Sequence, residues 1–306
     1  MNKLILSVFL CLFTFWSFGQ NTDSITSFEP SENENSLLWE ISGNGLKANS
    51  WLFGTIHMIP EDDFFLTEPI ENAFQESEKV VFEIDTDDMF NLTSQFSLIM
   101  KSFMNGGVKL KDLLSEEDYK LVKNHFDEKG LPLMLFGRVK PMILTIFASE
   151  DLANPTKGMD MKSIKSYELV FAEMAKKDKT PVDGLETVQY QMSMFDSIPY
   201  KDQADMLVQT IKGEKVAEDN FDEMVELYKN QDLMGLHKLI AAGGDDFMAK
   251  YDEILLNNRN RNWIEPMKEH MDKQTTFFAV GAGHLPGRDG VISLLRQEGY
   301  KVFPVK

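Results

Sequence analysis

Two short apolar runs at opposite ends of the chain each finish in Gly-x-x-His. The first is Trp51-Leu52-Phe53-Gly54-Thr55-Ile56-His57, and the second is Phe277-Phe278-Ala279-Val280-Gly281-Ala282-Gly283-His284. Such a run reads as a buried strand, and a histidine just beyond it sits on the rim of a sheet, where open α/β sheets hold ligands. The glycines let backbone come close to a neighbour or a bound group. Each histidine is followed within three residues by proline, Pro60 or Pro286, so the context is duplicated along with the motif. Either motif alone would read as a hydrogen-bonded structural histidine at a strand end; two of them suggest one shared site. The remaining histidines, His125, His237 and His270, lie in charged, helix-like stretches and read as solvated.

The strands can be placed from the pattern of apolar residues. Leu38-Trp39-Glu40-Ile41 and Trp51 to Ile56 read as two strands joined by a loop carrying Gly43-Asn44-Gly45, a hairpin signature. Thr67 with Pro69 opens a helix through Phe74, and Lys79 to Asp85 is a strand, apolar and then abruptly acidic. From Asp87 to Asp272 the pattern is mostly helical, with Ser115 and Asp118 spaced as a cap. One strand, Thr180 to Glu186, interrupts it and displays Glu186 at its end before a helix beginning around Thr187. The chain closes with strand, loop, helix and strand: Thr276 to Val280, the His284 loop, Val291 to Gln297, and Val302 to Val305. The fold class is therefore α/β, a sheet with flanking helices split by a large helical insertion. The 18 methionines, many of them in that insertion, read as adaptable core packing rather than a ligand box.

The amino terminus has the layout of an export signal. Lys3 precedes a 15-residue run, Leu4 to Phe18, and Ser17 and Gly19 fit the positions before a signal-peptidase cut that leaves Gln20 first. Residues 1–19 read as a signal peptide, 20–36 as a flexible linker and 37–306 as the folded domain, periplasmic or secreted. A retained membrane anchor is the alternative, though the run is short for a spanning helix. Cys11 is the only cysteine, and bulky Phe9 and Leu10 before it argue against lipidation. The mature chain then has no cysteine and no disulfide, so its core must suffice. The formal charge of −18 repels nucleic acid and anionic membrane, leaving the uncleaved leader as the only membrane contact. Oligomeric state is not legible.

Two neutral imidazoles and one carboxylate make a facial set of metal ligands with open positions for water and substrate. Glu83 is the carboxylate that follows an apolar strand as the histidines do, and alternation puts Asp85 on its face as a supporting group. The same pair could equally be an acidic strand exit facing solvent. A metal held by His57, Glu83 and His284 would activate water and polarise a carbonyl, giving hydrolysis without a nucleophilic side chain. Arg259 and Arg261 lie on a helix before the last strands; two positions apart, at most one reaches a given site. A guanidinium there could stabilise an oxyanion or clamp a carboxylate.

With these residues placed, the chain resembles the TraB/GumN family, whose relatives include the Tiki metalloproteases and the pheromone-shutdown proteins. The markers are Leu38-Trp39-Glu40-Ile41, Leu52 to His57, Glu83, Gly158-Met159-Asp160, Gly184-Leu185-Glu186-Thr187 with Gln191, Arg259-Asn260, and Val280 to Gly287. The resemblance implies a central mixed sheet of two related halves, with both Gly-x-x-His motifs, a glutamate and an arginine at one site. It carries His57, Glu83 and His284 over as the site core and metal ligands, with Arg259 as their polar partner. It also implies a divalent metal, manganese or cobalt before zinc, and a peptide or protein substrate. Asp160 and Glu186 match family positions without an assigned role. Other readings stay open: a haem- or iron-binding protein, a peptide-sequestering protein, and an esterase-like hydrolase that needs no metal.

Overall fold

The computed structural model describes residues 28–85, 92–149, 164–242 and 250–306. The leader, the first part of the linker and the Gly158-Met159-Asp160 marker lie outside them. Eight strands are described: β1 Leu38–Gly43, β2 Ser50–Thr55, β3 Ile59–Pro60, β4 Lys79–Ile84, β5 Ile164–Lys165, β6 Val182–Glu186, β7 Thr276–Gly281 and β8 Tyr300–Val305. Six of these make one mixed sheet in the order β6-β4-β7-β2-β1-β8, with helices against it, as the α/β reading requires. β6, β4, β7 and β2 run parallel, and β1 is antiparallel to both β2 and β8. The register pairs Gly54 with Val280 and Thr55 with Gly281, so the two Gly-x-x-His segments leave the sheet side by side at one edge.

The β1–β2 turn uses Gly43, Asn44 and Gly45 at φ of 78°, 48° and 84°. That left-handed run is what glycine and asparagine tolerate best. The central strands are apolar on both faces because both faces are covered. On one side Phe53, Phe74, Phe171 and Phe277 pack ring against ring, with centroid separations of 5.0–6.1 Å. On the other, Phe278 meets His270 of a helix that also buries Trp263, Met267 and Met271. Each such ring contributes about 1.5–3 kcal/mol on burial, more than an exposed ion pair supplies.

Among the described residues the α-helices are, in chain order, α1 Glu68–Gln75, α2 Leu92–Lys101, α3 Glu116–Glu128, α4 Leu133–Phe136, α5 Pro141–Ser149, α6 Tyr167–Asp178, α7 Val188–Ser197, α8 Tyr200–Lys212, α9 Glu214–Lys229, α10 Leu233–Ala242, α11 Asn258–Lys273 and α12 Val291–Gln297. Ser115 caps α3, its Oγ accepting from the Asp118 amide at 3.1 Å. The inserted helices carry their own hydrophobic cluster, including Leu110, Phe126, Leu133, Leu144, Leu207 and Ile211. The β3–β5 ribbon has no sequence signature, because two-residue strands are too short to show a period.

Residues 28–36 are not a free tether: Glu32–Glu34 form a 3₁₀ turn, Glu34 pairs with Arg296 at 2.6 Å, Asn35 donates to Asp232 at 2.8 Å and Ser36 is fully buried. The anchoring is polar, so it leaves no apolar periodicity to read. His125, His237 and His270 are half-buried rather than solvated. His125 bonds the Ala148 carbonyl at 3.1 Å, and His270 lies 3.8 Å from Asp183.

Candidate functional site

The four parallel strands deliver their carboxyl ends to one edge, and the chemistry-bearing residues collect there. β4 ends in Glu83-Ile84, β6 ends in Glu186, and β2 and β7 lead to His57 and His284. The Gly281 amide donates to Glu83 Oε1 at 2.8 Å. A Cβ on Gly281 would stand 3.2 Å from that oxygen, so glycine is what lets the carboxylate approach. Gly54 serves a different purpose: a Cβ there would stand 3.1 Å from the Ala282 backbone and from Leu285, so its lack of a side chain lets the second motif's loop pack onto the first.

Arg259 comes from the first turn of α11 and reaches into the centre. Its Nε donates to Glu186 Oε1 at 2.9 Å, and its Nη2 donates to Glu186 Oε1 at 2.6 Å and to Glu83 Oε2. Its Nη1 donates to the Leu255 carbonyl at 3.2 Å and to His284 Nε2 at 2.9 Å. All of the five N–H donors of a guanidinium are thereby engaged. The side chain is buried and lies over Trp263, 4.9 Å from the ring. Arg261 points away to the exposed pairs with Asp289 and Glu253, so one arginine of the two enters the site.

Glu186 and Gln191 were family markers without roles, and their neighbours now supply them. Glu186 takes Arg259, accepts from Gln191 Nε2 at 2.7 Å and accepts from Trp263 Nε1 at 3.0 Å. Gln191 Nε2 also reaches Glu83 Oε2 at 3.2 Å, tying the two carboxylates together. Burial alone would raise the Glu83 carboxyl, but the charges of His284, Arg259 and His57 and the Gly281 amide outweigh it and hold it at about 2. The His284 share acts only in acid, where that ring is charged. At neutral pH Arg259 is the chief group keeping Glu83 ionised.

His284 is 5% exposed, stacked 4.4 Å from Trp263. Its Nε2 must be bare, because Arg259 Nη1 can only donate to it; its Nδ1–H then donates to Asn260 Oδ1 at 2.6 Å. Asn260 is oriented for this by its own amide, which donates to the Asp289 carbonyl at 2.9 Å. Burial, with the nearby Arg259 and His57 charges, pushes the imidazole down to about 3 against the pull of Glu83. The ring is neutral at physiological pH.

His57 differs. Its side chain is 73% exposed, and its Nδ1–H donates to Glu168 Oε1 at 2.9 Å. Glu168, in the first turn of α6, also accepts from Thr55 and Ser166, each at 2.7 Å. The Glu168 hydrogen bond raises His57 to about 9; Glu83 adds to the rise and Arg259 opposes it, so His57 stands within reach of the central charges. It carries a proton at neutral pH. Sequence reasoning missed Glu168, which sits in no motif; the one available signal was an acidic residue just after the helix-capping Ser166.

The suggested ligands His57, Glu83 and His284 therefore share one edge but not one point. Among the described residues no group of three His, Cys, Asp or Glu side chains is placed to hold a metal ion. His284 Nε2 and Glu83 Oε1 are 3.8 Å apart, a spacing two donors could span to one ion at bonds of about 2.0–2.2 Å. That nitrogen, however, accepts from Arg259 and that oxygen from Gly281, while His57 is held by Glu168. As arranged, these residues do not fit a divalent ion.

Comparison with known proteins places the arrangement in a lineage. Metalloprotease TIKI2 of Xenopus tropicalis is 25% identical over 89% of this chain and 60% of that protein. Metalloprotease TIKI1 of Danio rerio is 24% identical over 89% of the chain and 64% of that protein, and TIKI1 of Homo sapiens is 23% identical over 90% and 63%. The chain thus spans about 60% of the length of the curated relatives it matches. No solved structure matches it significantly. Residues 37–304, which include all of the sheet but the last residue of β8 and every side chain of the site just described, match the TraB/PrgY/gumN family, and the chain belongs to that family.

Proposed function

We propose that the chain is an exported hydrolase that cleaves peptide bonds in peptide or protein substrates, and that its activity depends on a divalent metal, manganese or cobalt ahead of zinc. The observation that carries the hydrolytic reading is the convergence of Glu83, Glu186, Arg259 and His284 beneath the protonated rim histidine His57. The metalloprotease names of the relatives support the peptide substrate and the metal. No step is assigned to the metal, because its donor set is not assembled.

The chain's own residues have distinct tasks in this reading. His57, held by Glu168 and open to solvent, is the proton donor for a departing amine. Glu83, ionised and fixed by Gly281 and Gln191, is the carboxylate of the buried cluster that orients water. Arg259 keeps the two buried carboxylates charged, and with its five donors engaged it does not hold an oxyanion in this arrangement. The lack, among the described residues, of three side chains placed to hold a metal ion favours a second reading, a hydrolase needing no metal, in which Glu83 and His57 act alone.

The test is cleavage of a peptide library by the purified chain with manganese, cobalt, zinc or chelator. Cleavage with manganese or cobalt that chelator and Glu83→Gln both abolish supports the proposal. Cleavage indifferent to chelator selects the metal-free hydrolase, and peptide bound but recovered intact selects sequestration and overturns both. Intact mass of the exported chain checks for a start at Gln20.

A further inference from the structure

We infer that Arg259 is the resident cation of this pocket, and that its guanidinium and a divalent ion are alternative occupants of Glu83, Glu186 and His284. The inference deepens the metal-dependent reading and rests on it only for the choice of ion. Three atoms that would serve as ligands, Glu83 Oε2, Glu186 Oε1 and His284 Nε2, all turn their lone pairs to one guanidinium. Two carboxylates and a neutral imidazole are the donor types that divalent manganese and cobalt accept. His284 Nε2 has a single lone pair and gives it to Arg259, and the guanidinium fills the space between the two carboxylates, so an ion could take all three only if Arg259 left. The arginine is built to stay: each N–H has an acceptor, and Trp263 covers the face of the group while its own Nε1 is bonded to Glu186. Two carboxylates against one guanidinium leave the pocket short of positive charge, which is what an entering ion would supply. Metal binding then requires a displaced arginine, and the site described here is the metal-excluding arrangement.

The experiment compares cobalt and manganese binding to wild type, Arg259→Met and the double variant Arg259→Met/Glu186→Gln, read by visible absorption of cobalt and electron paramagnetic resonance of free manganese. Folded Arg259→Met is expected to bind one equivalent at least about tenfold more tightly than wild type, with the gain lost in the double variant. Equal or weaker binding by folded Arg259→Met overturns the inference. Should that variant fold only with metal present, recovery of its thermal melt on adding cobalt counts in favour, and no recovery counts against. In wild type, NMR of the Arg259 Nε–H and of His284 gives an independent check. Manganese that broadens His284 while the Arg259–Glu186 hydrogen bond persists overturns the inference; no binding at His284, or binding that releases Arg259, supports it. Because these readouts are of binding, they separate from the cleavage assay. Cobalt uptake by Arg259→Met with no cleavage by any form would leave this inference standing and remove the peptidase reading.

Discussion

The two Gly-x-x-His motifs begin from nearly the same sequence and end in opposite states. Their strands are neighbours in register, and both histidines leave the same edge of the sheet. His284 is buried, stacked on Trp263, hydrogen-bonded at both nitrogens and pushed down to about 3. His57 is 73% exposed, ion-paired to Glu168 and raised to about 9. The motif thus fixes where a histidine lies, while its proton is decided by residues far away in sequence: Arg259 and Asn260 for one, Glu168 for the other. One edge of the sheet offers a buried acceptor and an exposed donor, which is what a pair of acid–base groups needs in order to act differently at one pH.

The buried half of that comparison breaks most severely at Arg259. Arg259→Met leaves Glu83 and Glu186 buried without their cation, and removing one member of such a set costs about 3–5 kcal/mol. Urea unfolding without added metal measures it; a loss below about 1 kcal/mol would mean water already reaches the carboxylates. Next comes acid sensitivity. The folded His284 resists protonation down to about 3 while the unfolded ring takes a proton at 6.5, so stability should fall as pH drops through that window, by up to about 1.4 kcal/mol per unit. Glu83 adds a further loss as pH falls from 4.5 through about 2. His284→Gln should flatten the limb between 6.5 and 4.5, and an unchanged slope in pH-dependent melts would count against a buried neutral ring. On the other side, the His57–Glu168 pair contributes fully below 6.5 and is lost as pH rises through about 9. Exposure of its ring keeps that contribution within about 1 kcal/mol.

The glycines of the two motifs also differ, with smaller effects. Gly54→Ala drives a methyl into the Ala282 backbone and should cost about 1–3 kcal/mol of stability. Gly281→Ala meets the end of the Glu83 side chain, which can move, so its stability loss should be the lesser of the two. Equal melts for both variants would remove the distinction. Smallest of all, Arg261→Ala breaks only exposed pairs and should change stability by less than about 0.5 kcal/mol, in contrast to its neighbour Arg259.

Much of this was legible before the fold was known. The strands leading to His57, Glu83 and His284 are dense in apolar residues and end abruptly, so their identity follows from pattern, while the strand ending in Glu186 is marked only by Val182 and Leu185 between two helical stretches. Spacing narrowed Arg259 and Arg261 to one without choosing, since either face of a helix can turn inward, and the family resemblance supplied the choice of Arg259. What pattern could not reach was the wiring. Glu168 meets His57 across 111 positions, and nothing in Ser166-Tyr167-Glu168 marks it as more than a capped helix start. The metal set drawn from His57, Glu83 and His284 failed to close for the same reason: Arg259 and Glu168 each take a partner that sequence spacing left free. Residues 28–36 escaped notice because they are anchored by polar contacts rather than by an apolar stripe.

Two histidines at one sheet edge hold different proton states at neutral pH. Imidazole NMR titration of the ¹⁵N-labelled chain, assigned with His57→Gln and His284→Gln, tests it most directly. His57 should titrate near 9, and Glu168→Gln should bring it down toward 6.5, while His284 should show a single Nδ1–H tautomer from neutral pH down to acid unfolding. Both rings titrating together between pH 6 and 7, or a His57 that ignores Glu168→Gln, would contradict the account.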